Sequence, residues 1–396
     1  MESAAALAFE RQNRLIQVTD VARNRSLSLW RQMDFDNLDA SWASIGPQVT
    51  AHAASAQLEL AKGSDRFNAK VAANTEGFTP TKAAIIPEAF TGVDGDGRDV
   101  AGILYGSVTT TKEAVGAGLG RIQSMESGAT YLAAIFKTVV ADMARSADLV
   151  SSAGKSFTHY VRVTNGSACS RCAALAGISS GEEAFLRHVS CQCTAVAVTS
   201  SSREKLPTGL HADPQSYFDS LSAEEQDSVF GKAGAESIRS GADVTKVVDA
   251  RRGANGIGYS HRLPNRPEGH SVMTKTTIGV RPNGEPVRVY TTTEGATARG
   301  QFGKQQMGRS NFEKVGNARY STTSRVRLMP ESIMEIAGPD LATRQAFLRD
   351  AGYLDYIPPH GYDSAGKWIQ QLNQMRQNDR ILVDRAAKRY GNFYLS

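Results

Sequence analysis

All four cysteines of this 396-residue chain lie between Cys169 and Cys193. Cys169 and Cys172 form a C-x2-C pair, Cys191 and Cys193 follow as C-x-C, and His188 stands three residues before Cys191. Zinc takes four ligands, usually thiolate or imidazole, and two short ligand pairs joined by a longer loop supply them within one small module. Five groups, Cys169, Cys172, His188, Cys191 and Cys193, compete for those four places. Two disulfides, or four reduced structural cysteines, are the alternatives. Disulfides belong to oxidising compartments, and the start Met1-Glu2-Ser3-Ala4 has no basic segment followed by an apolar stretch. A site with this many protein ligands leaves no position for water, so the expected ion is a structural Zn2+ rather than a catalytic one.

The flanks of the cluster predict its scaffold. Tyr160-Val161-Arg162-Val163 leads into the first pair through a turn-like Asn165-Gly166-Ser167-Ala168, and Thr194-Ala195-Val196-Ala197-Val198 leaves the second. β-Branched runs of this kind read as strands, giving strand, knuckle, loop with helix, second ligand pair, strand.

Upstream, residues 4–74 read as helix. Leu7, Leu15, Val18, Ala22, Leu29 and Trp30 recur at spacings near three and four, and Leu38, Trp42, Ile45 and Val49 repeat the pattern after capping groups at Asp36 and Asn37. Pro47 is expected to bend or break the second helix. Asp94-Gly-Asp96-Gly resembles a calcium loop, but its twelfth position is Tyr105 rather than Glu, which excludes that reading. Helix resumes from residue 100 to about 153, with Tyr131, Leu132, Ile135, Phe136, Val139, Val140 and Met143 as the clearest apolar stripe. Its glycines, Gly106, Gly116, Gly118 and Gly120, form no phosphate loop.

Downstream, Asp213-Pro214 and the capping box Ser222-Ala-Glu-Glu225 predict helix starts. Residues 254–270 form a Gly-, Pro- and Arg-rich linker. Residues 275–290 read as a hairpin around Asn283-Gly284. Between 296 and 328, seven basic residues (Arg299, Lys304, Arg309, Lys314, Arg319, Arg325 and Arg327) face one acid, Glu313, in what reads as an exposed loop. Such a segment fits salt-sensitive, sequence-independent phosphate contact, a solvated loop, or an acidic protein partner. Pro330 starts a helix with Ile333 and Ile336, a second runs from 341 to 351, and residues 368–390 read as a basic amphipathic helix.

The expected fold is therefore mainly α with small β elements. Its parts are a helical docking region at 1–155, a Cys/His-stapled module with following helices at 156–253, the linker, and a basic region at 271–396. No run approaches the eighteen apolar residues of a membrane span, and the net charge of +5 is too small by itself to mark a nucleic-acid binder.

Cys169-x2-Cys172-Ala-Ala-Leu175-Ala-Gly177, followed by His188-x2-Cys191-x-Cys193, resembles the signature of the MuF-like phage head-morphogenesis (minor capsid) proteins. That pattern usually has Pro after the His and a basic residue inside C-x-C, where this chain has Val189 and Gln192. The stretch from Leu221-Ser222 to Arg252-Gly253 and the motif Leu328-Met-Pro330-Glu-Ser-Ile333 are similar to segments of portal-adjacent proteins of actinobacterial tailed phages, labelled minor head protein or capsid maturation protease. The resemblance implies a low-copy virion component, assembled in the host cytoplasm and placed in the capsid interior or at the portal vertex. Its implied role is head assembly, genome packaging or DNA delivery. The implied partners are the portal protein, the major capsid protein and, through the basic region, packaged DNA.

Chemistry of turnover is thin. The seven histidines, among them His52, His159, His211, His261, His270 and His360, lie in no G-x-S-x-G elbow and no H-E-x-x-H motif. A non-enzymatic structural role is the leading expectation. A capsid maturation protease with a Ser/His mechanism and a zinc-stapled nucleic-acid-binding protein are the alternatives.

Overall fold

The computed structural model describes residues 3–164, 168–182, 185, 188–202, 206–250, 273–280, 286–292, 312–313, 322–323 and 327–354. The fold is mainly helical with minor antiparallel strands, and its contacts divide into two compact units, Met1–Tyr217 and Phe218–Ser396.

The first unit starts with four helices, α1 Ala4–Trp30, α2 Leu38–Ala73, α3 Val100–Gly116 and α4 Arg121–Gly154. Ser3 caps α1 by accepting the Ala6 N–H at 3.1 Å, and Asp99 caps α3 by accepting that of Gly102 at 2.8 Å. The stripes read from the sequence pack together: Leu15, Val18, Trp42, Ile45, Val49, Leu60, Leu104, Val108, Leu132, Phe136 and Val140 form one buried cluster. Trp30 and Trp42 meet edge to face at 6.1 Å, and the Trp30 indole donates to Met125 O at 3.2 Å. Close approach depends on Gly128, where a Cβ would run into Thr111, Trp30 and the Ser107 carbonyl.

Pro47 does not break α2, which runs unbroken from Leu38 to Ala73. A residue before proline normally leaves the helical region because its Cβ and the proline ring collide. Here that residue is Gly46, which has no Cβ.

Buried charges inside the bundle are paired. Arg11 on α1 donates to Leu60 O (2.8 Å) and Ser64 Oγ (3.1 Å) on α2 and to the Asp148 carboxylate on α4 (2.7 and 3.0 Å). Lys155 donates to Asp65 (2.8 Å) and to Ala83 O (2.9 Å). Asp94 accepts from the N–H groups of Asp96 and Arg98, so the acidic turn closes on itself.

Beside the bundle lies a three-stranded antiparallel sheet in the order β2-β1-β3, with β1 His159–Arg162 between β2 Ile178–Ser180 and β3 Ala195–Val198. Val161, Val163, Val196 and Val198 pack on Leu7, Phe67 and Val71 from the start of α1 and the end of α2. The strands expected at 160–163 and 194–198 are present. The helix expected between the ligand pairs is replaced, among the described residues, by a single turn α5 (Ser170–Ala173) at the first pair and by β2. Three residues, Ile178-Ser-Ser180, are too short to show an alternating pattern.

The helix α6 (Pro214–Ser220) begins at the predicted proline. In the second unit, α7 (Ala223–Phe230) carries the predicted box: Ser222 Oγ accepts the Glu225 N–H, and Glu225 accepts the Ser222 N–H at 2.8 Å. Helices α8 (Lys232–Arg239) and α9 (Val244–Ala250) follow. The expected hairpin is β4 (Met273–Val280) against β5 (Pro286–Thr292). Two-residue strands β6 (Phe312–Glu313) and β7 (Thr322–Thr323) pair with each other, and β8 (Arg327–Leu328) joins β5. Leu328 is buried, so the end of the basic segment enters the core rather than staying an exposed loop. Helices α10 (Pro330–Ala337) and α11 (Leu341–Asp350) start at the predicted proline and after it. Tyr353 closes this core by donating its hydroxyl to Leu328 O at 2.9 Å.

Candidate metal centre

The two ligand pairs arrive on matched turns. The Cys172 N–H donates to Cys169 O at 2.9 Å, and the Cys191 N–H donates to His188 O at 3.1 Å, so each turn sets residues i and i+3 side by side. Ser190 holds the second turn in the left-handed region, φ 64°, a conformation that a serine adopts only with support. That support is α4: the Ser190 N–H donates to Thr138 Oγ1 (2.9 Å), and its hydroxyl donates to Ala134 O (3.1 Å).

All five expected groups converge. Cys169 Sγ lies 3.1 Å and Cys172 Sγ 3.5 Å from His188 Nε2, and Cys172 Sγ lies 3.6 Å from Cys191 Sγ. They form two triads of ligand atoms, Cys169/Cys172/His188 and Cys172/Cys191/Cys193, sharing Cys172. All four cysteines are free thiols, so the disulfide alternative is not what this geometry presents. Cys172, Cys191 and Cys193 are buried, His188 is half-buried, and Cys169 is exposed. His188 Nδ1 sits 2.8 Å from Val189 O, so its N–H donates there and Nε2 faces the sulfurs.

The proton affinities of these groups diverge. Cys169 is held down to about 4 by hydrogen bonds from Cys172 and His188 that outweigh burial, and Cys191 is also pushed down, by Cys172, by Cys193 and by the charge of Arg145. Cys172 is pushed up by sharing hydrogen bonds with Cys169, Cys191 and Cys193. Although its contact with Cys172 acts downward, Cys193 is pushed up to about 12 by Cys191 and by burial. His188 is raised by Cys169. Packed thiols that cannot all ionise together are what a divalent cation relieves, by replacing the shared protons.

The donor set and spacing fit a tetrahedral ion. With metal–sulfur bonds of about 2.3 Å and metal–nitrogen bonds of about 2.0–2.1 Å, sulfur–sulfur edges are about 3.8 Å and sulfur–nitrogen edges about 3.6 Å. The Cys172–Cys191 and Cys172–His188 separations come close to those edges.

Sequence reasoning missed the groups that hold the cluster in place. Arg145, 3% exposed on α4, donates to Cys191 O (3.1 Å) and Cys193 O (2.9 Å) and pairs with Asp142. Arg162, at the end of β1, lies 4.0 Å from Cys191 Sγ and donates to Leu175 O at 3.2 Å. The Phe185 ring lies 3.9 Å from the Arg162 guanidinium and 5.2 Å from that of Arg145. No local motif marks these residues.

The other sequence-predicted site is the basic segment. Arg299, Lys304, Arg309, Lys314, Arg319 and Arg325 lie outside the described residues, as do the linker at 254–270 and the helix expected at 368–390; of Arg327 the backbone is described, in β8. Ser26 Oγ lies 3.2 Å from His52 Nδ1, but Ser26 is fully buried and its hydroxyl donates to Ala22 O, so no substrate reaches that serine. No helix among the described residues is long and apolar enough to cross a membrane.

The fold and cluster thus define a mainly helical protein with a candidate Cys/His metal site between a small sheet and the last helix of a bundle. Comparison with family models, with curated proteins and with solved structures gives no match.

Proposed function

We propose that this chain is a non-enzymatic structural protein of the MuF-like kind, a minor head component of a tailed bacteriophage, in which a structural Zn2+ staples the central module. The observation that carries the reading is the convergence of four thiols and an imidazole whose tautomer is fixed by the Val189 carbonyl. So many protein ligands close the coordination sphere and leave no position for a reacting water, which argues for stability rather than turnover. The helical bundle then offers the surface that meets the portal protein or major capsid protein, and the basic segment meets packaged DNA or an acidic protein face. The phage assignment rests on the residue pattern around Cys169–Cys193 and on the two downstream segments.

Two measurements test the parts separately. Elemental analysis of the purified, reduced chain is expected to give one zinc per chain, and a metal-free protein overturns the staple. Co-expression with the portal protein and major capsid protein of the same genome is expected to give a complex on sizing, stable without proteolysis of either partner. Cleavage of a head protein, abolished by one Ser or His substitution, establishes the maturation-protease alternative instead. DNA retention that falls steeply with salt, with no head protein bound, supports the nucleic-acid-binding alternative.

A further inference from the structure

Resting on that zinc reading, the geometry points to one ligand set out of the five groups: Cys169, Cys172, His188 and Cys191 hold the ion, and Cys193 stands outside the coordination sphere. Three observations bear on which group stands aside.

The first is backbone construction. Cys169 and Cys172 are the two ends of one turn, and His188 and Cys191 are the two ends of another, each closed by the same i+3 to i hydrogen bond, at 2.9 and 3.1 Å. A turn of this form presents both end side chains to one side, and two such turns facing each other supply four ligands to one point. Cys193 belongs to neither turn. It is the second residue before β3, and the next residue is already committed to the sheet, with Thr194 O accepting the Val163 N–H at 2.9 Å.

The second is the run of spacings. Cys169, His188, Cys172 and Cys191 follow one another at 3.1, 3.5 and 3.6 Å, each step no longer than an edge of a tetrahedral site. Cys191 and Cys193 share one triad with Cys172, and neither shares a triad with Cys169 or His188, so it is the backbone setting that distinguishes the two.

The third is the imidazole. His188 spends Nδ1 on Val189 O and aims Nε2 at two sulfurs, the arrangement that fixes a ligating histidine. A four-thiolate site would leave this oriented, half-buried ring with no task. The C-x-C spelling therefore overstates the ligand count: its first cysteine binds, and its second is a buried thiol that packs beside the site.

The test uses the full chain loaded with zinc. X-ray absorption at the zinc edge is expected to show three sulfurs and one nitrogen; a shell of four sulfurs overturns the assignment. Affinity is then read by competition with a chromophoric chelator. Cys191→Ser is expected to weaken zinc binding by more than about 100-fold, beyond the range for loss of an outer-shell partner, and Cys193→Ser by less than about 10-fold. Equal losses in the two variants, or a larger loss for Cys193→Ser, overturn the assignment. Should Cys191→Ser fail to fold, the zinc affinity of Cys193→Ser still decides, a loss of more than about 10-fold overturning the assignment. A wild-type chain that binds no zinc at all is a different failure, that of the staple itself.

Discussion

At the scale of single residues, the site divides into groups a sequence displays and groups it hides. The ligands are displayed because their spacing is local: Cys169 and Cys172, then His188, Cys191 and Cys193, lie within one short stretch. Arg145 is hidden, because what it holds, the carbonyls of Cys191 and Cys193, lies 46 and 48 residues further along the chain. Cys172 is the ligand common to both triads, so its loss leaves neither intact. Cys172→Ser is expected to lower zinc content to near zero and to cost at least about 3 kcal/mol, a fall of roughly 6–12 °C in Tm for a unit of this size. Metal analysis and a thermal melt on the same sample check both, and unchanged zinc contradicts the assignment. Asp65 supplies a second residue-level expectation. Burial acts to raise its pKa, but hydrogen bonds from Lys155, Ser151 and the Ile85 N–H outweigh it, so the folded value lies below the ordinary one. A depressed carboxyl contributes stability above its unfolded pKa and loses it as pH falls through the folded pKa. Asp65→Asn is thus expected to be less stable than wild type at pH 7, with the gap in urea midpoint closing below about pH 5. A gap that stays constant down to pH 3 contradicts that role.

At the scale of elements, apolar periodicity told helices apart from everything else because each bundle helix buries one face in a shared core. Leu7, Leu15 and Val18, like Leu132, Phe136 and Val139, are buried where their spacing placed them. What periodicity conceals is charge inside the bundle. Arg11 lies on the apolar stripe itself, four residues after Leu7 and four before Leu15, and it ties α1 to α2 and α4. Pro47 misled for a related reason: its rule depends on the neighbour, and Gly46 removes the clash. Arg11→Met is expected to cost about 3–5 kcal/mol, because it strips the buried Asp148 carboxylate of two charged hydrogen bonds. Adding Asp148→Leu is expected to recover most of that loss, since an apolar pair needs no compensation. Urea denaturation of the three proteins reads the cycle; a double variant no better than Arg11→Met would place the contribution in packing or in the bonds to Leu60 and Ser64.

At the scale of the molecule, the change from helix to strand near residue 155 suggests a seam that composition alone cannot weigh. The contacts across it are what count: Arg145 to the Cys191 and Cys193 carbonyls, Ser190 to Thr138 and Ala134, and Val161 and Val196 against Leu7 and Phe67. They make the cysteine module and the bundle one compact unit, with Phe218–Ser396 as the other. Removing the ion should therefore be felt along a definite path. Chelation at neutral pH frees the turn at His188–Cys191, that turn stops bracing the Ser190 contacts, and the facing part of α4 loses partners. Hydrogen exchange is expected to quicken at the Cys191 and Val163 amides, at the strand bonds of β1 and β3, and around Thr138–Arg145. The Ile333 and Tyr353 amides of the second unit are expected to keep their wild-type rates. Faster exchange spread evenly over both units would mean that the ion supports the whole chain as one cooperative body. No change at α4 would mean that the staple stiffens only its own loop, and the bundle would then have to hold its shape for any partner without help from the metal.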